Sequence, residues 1–411
     1  MKKTIVFAPT TMNLSEVTRT LAIAEACSGD FDPAFIGYGG RYSDLIRKAG
    51  FPIKELEPRL TPEKERHLLE VDRMEKRADF YTADEIRQRV GSEVKAFAEL
   101  EPTAVVTGFN LSVPVSAQVA GVPLVWEISA AGARPFFEAG LATWPEPMDF
   151  AMLRWLPERW LNWAWNKFSL MKSNMLVGPI NQVAKEHGLT PFKNFAYILE
   201  VDFLLFTDVP EMTGITDLPT NFRYIGPIIT RLDIPVPEAV ENIPRDKPIV
   251  YFGMGSSGNP ETTRELIEGF TGRPFRVIAP VAERLEGMRV SVPDNVVLTG
   301  LVPAHIVNPM ADVSVIHGGQ GTVYTACLAG KPVVGIAFQP EQEGNLECLV
   351  RKGFAVRIRR KELSPDSVCS AVERLLSDDE ARKKALRFKD VVESHEEGPR
   401  GAARFLRETF A

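Results

Sequence analysis

Residues 312–345, DVSVIHGGQGTVYTACLAGKPVVGIAFQPEQEGN, carry the pattern that distinguishes the fold class. Asp312 to Ile316 is a short apolar run of strand type, and His317-Gly318-Gly319-Gln320-Gly321-Thr322 turns from it into a helix. A second apolar run, Val333 to Phe338, leads into a second polar cluster, Gln339-Pro340-Glu341-Gln342. Strand, glycine turn, helix and strand in this order predict a parallel sheet covered by helices. The glycines let a ligand approach the main chain, while amide hydrogens and the dipole at the start of the helix favour an anion. A diphosphate fits that chemistry, with His317 donating from its imidazole to a phosphate oxygen. Glu341 and Gln342, about a sugar's distance further on, carry acceptors and donors suited to sugar hydroxyls.

Outward from this stretch the alternation continues over the whole chain. Ile5 to Ala8, PAFIGYG, AVVTGF, PLVWEI, FLLFT and YIGPI read as strands up to residue 228, with helical patterns such as SEVTRTLAIAEAC between them. Residues 231–248, RLDIPVPEAVENIPRDKP, break the pattern with four prolines and many charges, as a linker does. The alternation restarts with PIVYFGMGSSG, PFRVIAP, NVVLTGLVP and AVRI. The expectation is an α/β protein of two doubly wound, Rossmann-like domains. Residues 1–230 form the first, 231–385 the second, and the helices of 386–411 are expected to pack back on the first. Such sheets bind ligands at the carboxyl ends of their strands, which places the site in a cleft between the domains.

The 411 residues are 45% hydrophobic and 25% charged, which excludes a disordered or disulfide-stapled chain. A net charge of -6 argues against nucleic acid as a partner, since a phosphate backbone needs clustered cations. Cys27, Cys327, Cys348 and Cys369 fall singly and read as reduced thiols of a cytoplasmic protein. MKKTIVFAPTT reads as a first strand rather than a signal peptide, and no stretch is apolar enough to span a membrane. Contact with a membrane surface stays open. Residues 144–175 hold five of the six tryptophans, Trp144, Trp155, Trp160, Trp163 and Trp165, expected to pack beneath a helical lid. An acceptor pocket and a membrane-interface helix are the other readings of that segment. The charge-dense stretch Glu63 to Arg89 is expected to be a solvated helix face.

The pattern HGGxGTxxxAxxxGxPVVxxxxxPEQxxN resembles the donor signature of the nucleotide-sugar glycosyltransferases of the B fold, the UDP-glycosyltransferase superfamily. The resemblance covers most of the chain and is more specific in its second half. It implies that Gly255 and Ser256, in VYFGMGSSG, join His317, Gly319, Gln320, Gly321 and Thr322 around the diphosphate. Main-chain groups near Leu301 and Val302 would pair with the base, and Glu341 and Gln342 would hold the sugar. At Thr325 the family commonly has Glu, which binds the ribose diol, so a deoxythymidine diphosphate donor rivals UDP. The implied activity is inverting, metal-independent transfer to a hydroxyl of a hydrophobic small molecule or lipid. The nucleotide sugar is substrate, no cofactor is expected, and the protein is expected to be a monomer or homodimer.

The resemblance also brings Glu16 onto the position of the family's catalytic base, just inside the first helix. Ser15 is expected to cap that helix, whose N-terminus would keep Glu16 ionised. The family's supporting aspartate has no counterpart among Thr107, Gly108 and Asn110. No metal-ligand cluster is evident where a diphosphate would need a cation. Gly253-x-Gly255-x-x-Gly258 has the spacing of a dinucleotide fingerprint, but the following strand ends in Ala279-Pro280 without the acid that would hold a ribose. A sugar-nucleotide epimerase and a non-catalytic nucleotide-sugar-binding subunit remain alternatives at this stage.

Overall fold

The structure is a computed structural model that describes residues 2–148, 150–153, 155–255 and 259–411. Its first sheet comprises β1 (Lys3–Phe7), β2 (Phe31–Gly37), β3 (Ile53–Glu55), β4 (Ala104–Thr107), β5 (Leu124–Ile128), β6 (Phe203–Phe206) and β7 (Phe222–Tyr224). They lie in the order β3-β2-β1-β4-β5-β6-β7. The second sheet comprises β8 (Ile249–Gly253), β9 (Arg276–Ala279), β10 (Val296–Leu298), β11 (Val313–Ile316), β12 (Val333–Gly335) and β13 (Ala355–Arg357), in the order β10-β9-β8-β11-β12-β13. Every pairing is parallel, as β-helix-β crossovers require. The central strands are buried on both faces, which is why they read as unbroken apolar runs. Each strand order reverses once, between β1 and β4 and between β8 and β11, and the carboxyl ends there are where doubly wound sheets hold ligands.

Contacts divide the chain into one unit of residues 1–228 with 396–411 and another of residues 229–395. The C-terminal helices therefore part company, contrary to the expectation that all of 386–411 packs on the first domain. The helix Asp379–Glu393 buries Ala381, Ala385, Phe388 and Val392 within the second unit, and the Phe388 and Phe354 rings lie 5.6 Å apart. Only the helix Gly398–Phe410 joins the first unit, where Phe405, Leu406 and Phe410 enter a core with Ile5, Phe7 and Val17. YIGPI is not a strand. Its ladder ends at Tyr224, and residues 225–228 turn their backbone to the last helix, where Gly398 N donates to Pro227 O at 2.9 Å.

Two local expectations also change. Asn13, not Ser15, caps the helix Leu14–Cys27, its side chain accepting from Ser15 N. The charge-dense stretch is not solvated throughout. Arg89 is buried, with its guanidinium over the Tyr38 ring at 3.5 Å and bonds to Ser112 Oγ and Asn110 Oδ1. Glu93, wholly buried one turn on, accepts from Tyr38, Ser112 and Ser116, each at 2.7 Å. This satisfied network fixes the turn after β4 in place.

Candidate active site

Ile316 pairs with Gly253, so β8 and β11 release Met254-Gly255 and His317 side by side from the second sheet. The His317 ring is buried between two glycines. A Cβ at Gly319 would stand 2.5 Å from its Nε2, and one at Gly255, whose φ is +53°, would overlap its Cε1. Any larger residue at either position would displace the imidazole. Its Nδ1 lies 3.4 Å from Gly253 O. A carbonyl can only accept, so the proton of the neutral ring sits on Nδ1 and Nε2 presents a lone pair. Burial lowers the imidazole pKa to about 4, the nearby Arg284 adding to the shift and the Gly253 bond opposing it. The sequence reading has His317 donating to phosphate. In this tautomer Nε2 can do so only after taking up a second proton.

Gly319 is the N-cap of the helix Gln320–Ala329, in extended conformation, and as a glycine it offers no side chain to cap it. The hydroxyls of Thr322 and Thr325 donate to Gly319 O and Gly321 O within that helix, each at 2.7 Å. Gln342 is buried. Its Oε1 accepts from Phe338 N at 2.9 Å and its amide donates to Gln339 Oε1, which fixes the start of the helix Pro340–Lys352. Glu341 is half-buried in the first turn, where Asn345 Nδ2 donates to it at 3.2 Å. The same amide reaches Gly318 O at 3.1 Å and so ties this helix to the glycine turn. Leu301 is exposed beyond β10, whereas the Val302 side chain enters a core with Val240 and Tyr251. Ser256 and Gly258 lie outside the described residues. The second unit thus gathers Gly255, His317 and Gly319 to Thr322 at its switch point.

Glu16 belongs to a separate cluster in the first unit. It is buried, and its Oε2 accepts from Thr10 N at 3.1 Å. Burial raises its pKa to about 8, against the pull of the Arg19 guanidinium and with a smaller push from Glu127. Desolvation outweighs the helix start that was expected to keep it ionised. Arg19 Nε donates to Glu127 Oε2 at 2.8 Å, and its NH1 donates to Ser15 Oγ at 2.7 Å. Glu127 occupies the space left by Gly108, where a Cβ would stand 2.5 Å from Oε1. Glu16, Gly108 and Glu127 come from the carboxyl ends of β1, β4 and β5, so the three groups meet at the switch point of the first sheet.

Residues 275–402 match the family described as Erythromycin biosynthesis protein CIII-like, C-terminal domain. Over 392 residues, 95% of the chain, the sequence is 27% identical to a PGL/p-HBAD biosynthesis glycosyltransferase of Mycobacterium tuberculosis (strain ATCC 25177 / H37Ra), 89% of which is covered. A PGL/p-HBAD biosynthesis rhamnosyltransferase of Mycobacterium bovis (strain BCG / Pasteur 1173P2) is also 27% identical over 392 residues, with 95% of this chain and 84% of that protein covered. The solved structure of the spinosyn rhamnosyltransferase SpnG complexed with thymidine diphosphate superposes with a TM-score of 0.68 at 13% identity, over 99% of this chain and 100% of that one. The fold is the B fold of glycosyltransferases, and these similarities support a nucleotide-sugar glycosyltransferase.

In this glycosyltransferase the sequence reading missed Arg284, Arg19 and Glu127, and gave no role to Asn345, the last residue of its motif. Arg284, from the short helix after β9, donates to Gly255 O at 2.7 Å and brings a cation to the turn beside His317. Nothing in the sequence separates it from the other cations. Glu127 did carry a signal, because a carboxylate inside the apolar run LVWEI must be paired when that strand is central. Among the described residues, no three His, Cys, Asp or Glu side chains gather as a metal site would require. Among the same residues, no helix is long and apolar enough to cross a membrane.

Proposed function

We propose that this glycosyltransferase moves a sugar from a deoxythymidine or uridine diphosphate donor to a hydroxyl of a hydrophobic, lipid-like acceptor, with inversion and without a metal ion. The observation that carries this reading is the imidazole of His317 set between Gly255 and Gly319 at a helix start whose N-cap is a glycine. The diphosphate lies against that start and the protonated ring, and these groups stabilise the charge that develops as its bond to the sugar breaks. Gly255, Ser256, Gln320, Gly321 and Thr322 complete the contacts to the diphosphate. Main-chain groups at Leu301 and Val302 meet the base, and Glu341 and Gln342 meet the sugar. The acceptor oxygen attacks the anomeric carbon from the opposite face while Glu16, as carboxylate, takes its proton. The Arg19 guanidinium favours the carboxylate form of Glu16, and Glu127, which pairs with Arg19, opposes it.

Thr325 favours the deoxy nucleotide, because its hydroxyl is engaged with Gly321 O and offers no carboxylate to a ribose diol. The thymidine diphosphate of SpnG and the PGL/p-HBAD biosynthesis role of the mycobacterial relatives support such a donor and a lipid-like acceptor. Thermal-shift titration with dTDP, UDP and GDP tests the reading, since a ligand bound only to the folded state raises its melting temperature. dTDP should stabilise most, and His317→Ala should abolish the shift. Equal response to all three nucleotides, or none to any, overturns it.

A further inference from the structure

The helix Glu158–Leu170 is built inside out. Its buried residue is polar. Asn166, 4% exposed, bonds Ala142 N and Ala142 O at 3.2 and 2.7 Å, and Asn162 Oδ1 accepts from Trp144 N at 2.8 Å. Its outward residues include large apolar ones beside Glu158, Arg159 and Lys167. Trp160 is 55% and Trp163 64% exposed, and Trp155, just before the helix, is 90% exposed. Residues 150–175 hold nine of the thirteen exposed large hydrophobic side chains among the described residues, so these form one surface rather than scattered exceptions. The expected lid over packed tryptophans is realised only by Trp144 and Trp165, whose rings meet edge to face at 6.1 Å.

We infer that this surface docks the protein on an anionic lipid bilayer, with the helix lying in the plane of the interface. Indole suits that depth, since its ring is apolar and its N–H polar. Charge selects the bilayer. Residues 150–175 carry four cations against the single carboxylate Glu158, in a chain whose net charge is -6. Arg159, Lys167 and Lys172 are exposed beside the tryptophans, where they meet lipid phosphates. At about 20 Å the helix is too short to span a bilayer. Docking by this surface is independent of the donor and of the sugar it carries.

Co-sedimentation of the whole protein with phosphatidylcholine vesicles, with and without a quarter of phosphatidylglycerol, tests it, together with tryptophan emission. The wild type should bind the anionic vesicles at least tenfold more tightly, less so in high salt, and its emission should move to the blue. Trp160→Ser with Trp163→Ser should abolish binding. Lys167→Gln or Lys172→Gln should each weaken it about fivefold. All four side chains are exposed, so an unchanged melting temperature separates lost docking from lost folding. Undiminished binding by the double tryptophan variant overturns the inference. So does a concentration-dependent dimer, abolished by the same substitutions, with no binding to either vesicle, which would make the surface a contact between copies.

Discussion

Glu16 and His317 carry opposite pKa shifts from the same cause, burial. For Glu16 the folded value near 8 lies above the ordinary 4.5, so its protonated form stabilises the fold below that range. This contribution is lost as pH rises from 4.5 through 8, and Glu16→Gln should flatten that part of the stability profile in denaturant titrations. With Glu16 in its proposed role as base, activity should have the opposite slope, because the base must be ionised. The kcat/KM profile should rise to an inflection near 8, and Glu16→Gln should lower kcat a hundredfold or more, with about 10²–10⁴ usual for a general base. For His317 the folded value near 4 lies below 6.5, so its contribution is present above 6.5 and is lost as pH falls towards 4. If the diphosphate binds His317 as proposed, binding requires the second proton and should therefore take one up. Affinity should improve up to about tenfold per unit as pH falls from 7 to 5. Calorimetry in buffers of different ionisation enthalpy reads that proton directly, and uptake persisting in His317→Ala would assign it elsewhere.

At the scale of elements, the helix starts were the legible part. The glycines before Gln320 and the Asn-Leu-Ser turn before Glu16 mark where two helices begin, although the capping residue moved from Ser15 to Asn13. The orientation of the helix Glu158–Leu170 was not legible, because periodicity gives an apolar stripe without saying which way it faces. Asn166 turns it outward by bonding the backbone of Ala142. Asn166→Ala should leave those buried groups unpaired at about 1–3 kcal/mol. Hydrogen exchange across residues 158–170 should then speed up about ten- to a hundredfold, with the rest of the first unit unaffected.

Over the whole molecule, each unit has its own sheet and core, and the last helix belongs to the first. The Phe405 ring packs on Phe203 at 5.2 Å, inside the cluster that covers β1 and β2. Phe405→Ala should destabilise the first unit by about 3–5 kcal/mol. Calorimetry should show one transition moving down while the transition of the second unit, and the stabilisation that nucleotide gives it, stay in place. A shift of both together would mean that the units unfold as one.

Local chemistry is written in the order of residues, and so the two parallel sheets and the glycine turn proposed to receive a diphosphate were legible in the sequence alone. The period of apolar runs fixes strands and helices, and a glycine is visible wherever it stands. Tertiary structure decided what depends on groups distant in the chain. Glu127 reaches Arg19 across 108 residues, the Gly253 carbonyl selects the tautomer of His317, and burial reverses the ionisation expected of Glu16. Desolvation and pairing are properties of the space around a side chain, and only the folded chain creates that space.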